Sequence, residues 1–484
     1  MAPIVERTPG ERTFLQVLAN TALANLTTAF VWFALTFWVY LETRSVLATG
    51  VVGGAYMLFV AFGSMLFGSI VDHHRKLQVM RLSGVITLIA FAVAGVMYLL
   101  LPEPVLLQLT APWLWIFMAI ILAGSVVEQM RNIALSTTVT ILVPDARHAN
   151  ANGLVGTVQG MAMIVTSVFS GLSVGFLGMG WTIAIGIVAL ALSLLHLMRL
   201  RVPEDVVVAD PDEHGRGVDL RGSVRAVLAI GGLFALIVFS TFNNLIGGVY
   251  MALMDPYGID LFGVQLWGVV FGVASTGFIV GGLVIARFGL GARPIRTLLL
   301  VVIAMGVLGA LFTIRDWWWL YAVGIWLYMA LIPAAEAAEQ TVIQRVVPLP
   351  RQGRVFGFAM AFESAAAPIT AFLIAPLAEF WIIPWSRTAD GAAALEPLLG
   401  TGIARGIALV FLVAGLVMVL AAGTAFLTRS YRRISASYAV SAPPESATTI
   451  GSAQAESAQA ESVPVVLDDR ADASPETEGG AQSR

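Results

Sequence analysis

The 484-residue chain contains no cysteine. Disulfide staples, thiolate metal sites and thiol nucleophiles are thereby excluded, and no redox compartment can be read. Charge is sparse as well: Asp, Glu, Lys and Arg make up 12% of the residues, and Lys76 is the only lysine. The net charge of −3 offers no basic excess that would attract nucleic acid. Histidine occurs five times (His73, His74, His148, His196 and His214), always near the end of a hydrophobic run or in a linker. No mid-membrane histidine relay, metal-ligand spacing, phosphate-cradling Gly loop or nucleophile elbow is present. The chain reads as no enzyme, no ATP-driven pump, and a protein without cofactor or metal.

Hydrophobic residues, by contrast, make up 58% of the chain, and the mean hydropathy is +0.86. A soluble globule cannot hide that much apolar surface, whereas a bilayer accepts it on the outside of a helix bundle. A crossing helix needs about 20 apolar residues. Twelve runs qualify: 14–40, 46–71, 79–101, 113–143, 154–179, 181–200, 224–253, 262–288, 295–314, 317–347, 355–383 and 402–427. Only the turn Gly178-Met179-Gly180 separates the fifth from the sixth. The polar first dozen residues lack a small-residue cleavage site, so the first run is expected to stay in the mature protein.

The expected organisation is all-α: a six-helix bundle over 1–200, a polar linker over 201–221, a second six-helix bundle over 222–433, and a disordered tail over 434–484, rich in Ala, Ser, Glu and Pro. Basic residues set the orientation. If the N-terminus is cytoplasmic, twenty Arg and Lys fall on inner segments, against Arg44, Arg315, Arg387 and Arg405 outside. Both termini are therefore expected in the cytoplasm of a plasma (bacterial inner) membrane. Trp113, Trp115, Trp317, Trp318, Trp319, Trp381 and Trp385 gather near the outer ends, as an interfacial belt would.

The chain also repeats itself. Val143-Pro144 followed by Gly153 returns as Val347-Pro348 followed by Gly357, 204 positions later for both landmarks. Two like-oriented halves suggest a transporter whose halves rock around a central site. Between the second and third runs lies Gly68-Ser69-Ile70-Val71-Asp72-His73-His74-Arg75-Lys76. The second half carries Gly282-Leu283-Val284-Ile285-Ala286-Arg287, the same frame with Ala in place of Asp.

The first of these resembles the Gly-x-x-x-Asp-Arg-x-x-Arg loop of the major facilitator superfamily. Gln344-Arg345-Val346-Val347-Pro348 with Arg351-Gln352-Gly353-Arg354-Val355-Phe356-Gly357, and Val143-Pro144 with Ala149-Asn150-Ala151-Asn152-Gly153, resemble the drug/macrolide efflux and enterobactin exporter branch. The likeness covers about residues 12–430. In the fifth span, where family antiporters carry Gly-Pro, this chain reads Ser170-Gly171-Leu172-Ser173-Val174-Gly175. The resemblance implies the major facilitator fold, with twelve transmembrane helices in two pseudo-symmetric bundles. It also implies a cytoplasmic gate in which Asp72 caps the start of the eleventh span; Gly68, Arg75 and Arg354 are its expected partners.

Charges at bilayer depth cost about 2.5–3.5 kcal/mol on insertion scales, so they point to a cavity or a partner. Glu128 and Arg131 sit three apart in the fourth span, Glu336 and Glu339 three apart in the tenth beyond Pro333, and Glu363 in the eleventh. All five are expected in a central proton-coupling layer, although Glu128 and Arg131 could instead neutralise each other as a static pair. Asn243 and Asn244, with Phe30, Phe33, Phe37, Tyr328, Phe358 and Phe362, are the expected substrate-cavity residues. The sequence thus reads as a monomeric secondary transporter of the multidrug-resistance type. It would export a hydrophobic or amphipathic small molecule by alternating access and proton antiport. Siderophore or metabolite exchange, or a non-transporting sensor on the same fold, are the alternatives.

Overall fold

A computed structural model of the chain describes residues 8–43, 46–108, 110–202, 220–400 and 404–441. Among the described residues there is helix and loop but no strand. One compact unit takes in residues 1–439 and a second takes in 440–484. Most of the expected 201–221 linker (203–219), and 442–484 of the expected tail, lie outside the described residues.

The first half contributes α1 (Pro9–Thr43), α2 (Val46–His73), α3 (Lys76–Leu100) and α4 (Pro112–Leu142). Helix α1 starts with a capping box, in which Thr8 Oγ1 accepts from the Glu11 amide at 3.2 Å while Glu11 Oε2 accepts from the Thr8 amide at 2.9 Å. The helix His148–Arg199 is 52 residues long. At about 1.5 Å per residue it would measure about 78 Å, against about 30 Å of hydrocarbon. It is in fact two helices. Gly178 has φ 80° and ψ 172°, a region where only Gly is unstrained, and the chain doubles back there. The hydroxyls of Ser173 and Thr182 lie 2.8 Å apart, although nine residues of straight helix would put them about 13.5 Å apart.

Helices α5 (148–177) and α6 (179–199) therefore flank the turn expected from the sequence. The second half supplies α7 (Leu233–Phe262), α8 (Val264–Phe288), α9 (Pro294–Leu311), α10 (Trp318–Val346), α11 (Leu349–Leu377) and α12 (Arg405–Leu427). Eleven helices among the described residues are long and apolar enough to cross a membrane; the break at Gly178 brings the crossings to twelve.

Outward faces carry large apolar side chains, such as Phe62 (71% exposed), Phe176 (83%) and Phe372 (78%), which suits lipid and not water. Inward faces pack through small residues. A Cβ on Gly306 would sit 2.8 Å from Gly415 O, and one on Gly415 would sit 2.3 Å from Gly306 O, so α9 and α12 touch backbone to backbone. One end of the bundle carries the basic loops and the other the tryptophans, where Trp317 and Trp319 stack at 5.5 Å. These are called the basic end and the tryptophan end below. After α12 the chain continues as the helix Arg429–Val440. It runs past residue 434, where the sequence suggested the tail would begin, and is held by the buried Ile434 and by Tyr438, whose ring lies 4.4 Å from the Arg345 guanidinium.

Candidate functional site

The two halves meet at the basic end through their repeated motifs. At the end of α2, Asp72 Oδ1 accepts from the Gly353 amide at 2.6 Å. Its Oδ2 accepts from the Arg354 amide at 2.9 Å and from Arg354 Nε at 3.2 Å. Both residues are buried. A carboxylate receiving charge-assisted bonds near a helix N-terminus satisfies charge and dipole together. Glycines make the approach possible: a Cβ on Gly353 would lie 2.5 Å from Asp72 Oδ1, and one on Gly68 would lie 2.3 Å from Gly353 O.

The other crossing, α5 on α8, inverts this chemistry. Where the second half has Ala286 in place of Asp, the Asn150 amide donates to Ala286 O at 3.0 Å. Gly153 and Gly282 bring the two backbones together there. Between the crossings runs an amide chain in which Thr140 donates to Gln352 (2.9 Å), Gln352 to Gln344 O (2.9 Å), and Gln344 to Ser136 O (2.9 Å).

This contact does not extend along the bundle. A Cβ on Gly153, Gly156 or Gly160 of α5 would come within 3.0 Å of the second half. Gly171 is eleven residues beyond Gly160, about 20° around an ideal helix, and therefore on the same face. A Cβ there, or on Gly175, would meet nothing within 4 Å among the described residues; the same holds for Gly268 and Gly272 near the tryptophan end of α8. Among the described residues, the close backbone approach of the halves is found at the basic end and not at these glycines toward the tryptophan end.

A cavity of about 280 Å³ lies inside this joint. Helix α10 lines it with positions 332, 335, 336, 339, 340 and 343, α11 with 356, 359, 360, 363 and 364, and α7 with 239, 240, 243 and 244. Each set is one helical face. The first half adds Ile133 and Ser136 from α4 and Gln159 from α5. Glu336, Glu339 and Glu363 thus converge from two helices, and Asn243 and Asn244 join them as the sequence suggested. Glu339 of α10 and Glu363 of α11 share this lining with Ser240 of α7. Pro333 does not break α10, which runs unbroken from Trp318 to Val346; its ring lies against Gly156 of α5.

Other expected site residues lie elsewhere. Glu128 and Arg131 do not line the cavity. They form a 2.5 Å ion pair, 2% and 0% exposed, inside the first half. Ser83 donates to Glu128 at 2.9 Å, and Arg131 donates to Asn20 at 2.9 Å. Phe30, Phe33, Phe37, Tyr328, Phe358 and Phe362 are also absent from the lining. Tyr328 packs 5.0 Å from Tyr250 in the aromatic core of the second half. Phe358 is buried and pairs with the exposed Phe362 at 4.6 Å. Phe33 and Phe37 lie 6.5 Å apart on α1, and Phe30 packs within the first-half core. The reason is common to all six: depth along a helix was legible, but the direction each ring faces was not. Arg75 is exposed; the neighbouring Lys76 is the buried one, donating to Val71 O at 3.0 Å beside Asp72.

Sequence reasoning missed Gln159, Gln340, Ser240 and the aromatic wall of Phe239 and Phe356. An amide directly after Glu339, and another in the middle of the fifth apolar run, were the available signals.

Comparison with known proteins agrees with this architecture. The Major Facilitator Superfamily model matches residues 17–371, and the chain belongs to that family. No curated protein matches it. Among solved structures it is similar to a bacterial homologue of the iron transporter ferroportin in an outward-facing state (16% identity, TM-score 0.61, covering 86% of this chain and 100% of that one). It is also similar to the E. coli fucose:proton symporter (10% identity, TM-score 0.63, 86% and 99%). A third is the human organic anion transporter MFSD10 (14% identity, TM-score 0.58, 85% and 100%). At these identities the likeness is one of fold, and the fold is that of a multi-pass membrane transporter family.

Proposed function

We propose that the protein is a secondary transporter that exports a small amphipathic molecule across the bacterial inner membrane by alternating access, in exchange for protons. The observation that carries this reading is the cavity between the halves, closed by paired backbones at one end and lined by three glutamates. The basic end is cytoplasmic on the distribution of arginine, so the present conformation is sealed inside and parted outside. Parting of the α5–α8 and α2–α11 crossings, with closure of the tryptophan end, would open the opposite side. Proton transfer to and from Glu336, Glu339 and Glu363 supplies the coupling, because clustered cavity carboxyls change charge as the cavity changes its exposure to water. Glu128 and Arg131 hold the first half together and take no part in the exchange.

Proteoliposomes with an imposed pH gradient and a compound panel test this directly. The gradient is expected to drive substrate movement in the wild type. Glu336→Gln combined with Glu339→Gln should abolish proton-driven movement while leaving the protein folded. Equal gradient-driven transport by wild type and double variant would refute the coupling.

A further inference from the structure

Every charged side chain facing the cavity is acidic. Glu336 and Glu339 come from α10 and Glu363 from α11; the elements packed around them add Ser136, Gln159, Ser240, Asn243, Asn244 and Leu298, none of them charged. No Arg, Lys or His lines the cavity among the described residues.

The unmade hydrogen bonds there have one sense. Glu339 Oε1, Glu363 Oε1 and Asn243 Oδ1 are buried without a partner among the described residues, and all three are acceptors. Glu339, only 8% exposed, belongs to the cavity lining. Buried acceptors left unpaired are costly, so the complementary ligand brings hydrogen-bond donors or positive charge. A carboxylate or phosphate ligand would meet three acids and no cation. The acids are also not gathered as a metal shell: no three acidic, His or Cys groups among the described residues are placed to hold one ion. The space suits something larger than an ion. At about 280 Å³ it lies just below the usual range of small-ligand pockets, about 300–1,000 Å³. Phe239, Phe356 and Met360 give it an apolar wall, and an aromatic face attracts an ammonium group.

We propose that the molecule carried is a compact organic cation, an amine or quaternary ammonium with an apolar body, bound by Glu339 and Glu363 in competition with a proton. The proposal rests on the transport reading above and specifies the charge of the cargo. When one monovalent cation enters and one proton leaves the pair, the cavity keeps its net charge, and exchange follows without further charge compensation.

Binding to the full-length protein in nanodiscs, measured by calorimetry, tests it with phenethylamine, 2-phenylethanol and 3-phenylpropionate, which share size and differ in charge. Benzyltrimethylammonium serves as a permanently charged probe, and Mn²⁺ as the inorganic one. Phenethylamine and benzyltrimethylammonium are expected to bind at least tenfold more tightly than the alcohol, and the acid not at all. Lowering the pH from 8 to 6 should weaken benzyltrimethylammonium, whose own charge cannot change, with one proton released per cation bound. Glu339→Gln and Glu363→Gln should each lower cation affinity at least tenfold and leave the alcohol unaffected.

The proposal is overturned if the alcohol or the acid binds as tightly as the amines, if Mn²⁺ binds more tightly than either, or if the Gln variants bind the cations like the wild type. Gradient-driven movement of uncharged solutes in liposomes would then leave the transport reading standing alone. Cation binding without any movement in liposomes would do the reverse.

Discussion

The side-chain amides of Asn152 and Gln344 form a reciprocal pair across the two halves: Asn152 Nδ2 donates to Gln344 Oε1 at 2.9 Å, and Gln344 Nε2 donates back to Asn152 Oδ1 at 3.2 Å. Each is 3% exposed, and Asn152 also donates to Thr341 Oγ1 at 3.0 Å. The pair couples α5 to α10 at the basic end, beside the two backbone crossings. Gln344→Leu removes one member and leaves Asn152 Oδ1 without its donor, while Asn152 keeps its bond to Thr341; a buried acceptor that loses its partner costs about 1–3 kcal/mol. The sealed conformation should lose population by about tenfold per 1.4 kcal/mol. Ser136→Cys, placed in a chain without native thiols, reads this out: a membrane-impermeant maleimide applied from the basic side should label it about tenfold faster in the Gln344→Leu background. An unchanged labelling rate would show that the amide pair does not hold the halves together.

Gly353 should tolerate no side chain. A Cβ there would lie 2.5 Å from Asp72 Oδ1 and 2.6 Å from Gly68 O, so Gly353→Ala must push α2 and α11 apart. Asp72→Asn acts more gently, since it removes the charge and turns an NH₂ group toward an amide donor. Both substitutions should lower the gradient-driven transport rate at least tenfold with expression and helicity maintained, and Gly353→Ala should be the more severe. Wild-type transport by both would deny the contact any role in the cycle.

The Glu128–Arg131 pair should matter for stability and not for coupling. Arg131→Met leaves Glu128 buried beside Ser83 with its cation gone, a change that costs about 3–5 kcal/mol for buried pairs in general. Glu128→Gln combined with Arg131→Met removes both charges and should recover most of the loss in detergent melting temperature. Proton-to-substrate stoichiometry in the recovered double variant should equal that of the wild type. A stable double variant that had lost proton coupling would return the pair to the transport machinery.

These outcomes also mark how far the sequence could be read. Asp72 and Gly353 were legible because a motif fixes their spacing and a close approach needs Gly. Glu336, Glu339 and Glu363 were legible because a carboxyl at bilayer depth needs a reason to be there. Glu128 and Arg131 raise the same flag, but hydropathy cannot say whether the reason is a cavity or a partner three residues away. Tyr328 and Phe358 failed for a related cause: an apolar ring is equally stable against lipid, core or ligand, so its direction follows from helix packing alone. The reversed chemistry at Asn150 and Ala286 was hidden because the donor there is a side chain on the opposite helix.

Blocking the parted end should arrest the cycle. A Cβ on Gly171 or Gly175 of α5 meets nothing within 4 Å among the described residues, so a bulky side chain there is expected to be accommodated in the present conformation and to collide when the tryptophan end closes. Gly171→Trp should therefore leave folding and cation binding intact and reduce steady-state transport about tenfold or more. Full transport by this variant would mean that the face of α5 at Gly171 never closes on the second half.

The central claim is that the halves rock between contact at the basic end and contact at the tryptophan end, and an electron-spin distance measurement tests it most directly. Gly171→Cys and Gly268→Cys place labels on α5 and α8 in the open region, in a protein with no other thiol. The wild type should give a long distance, and adding Gly353→Ala, which breaks the basic-end seal, should shift the distribution to a shorter one as the tryptophan end closes. A single distance that Gly353→Ala leaves unmoved would contradict the account.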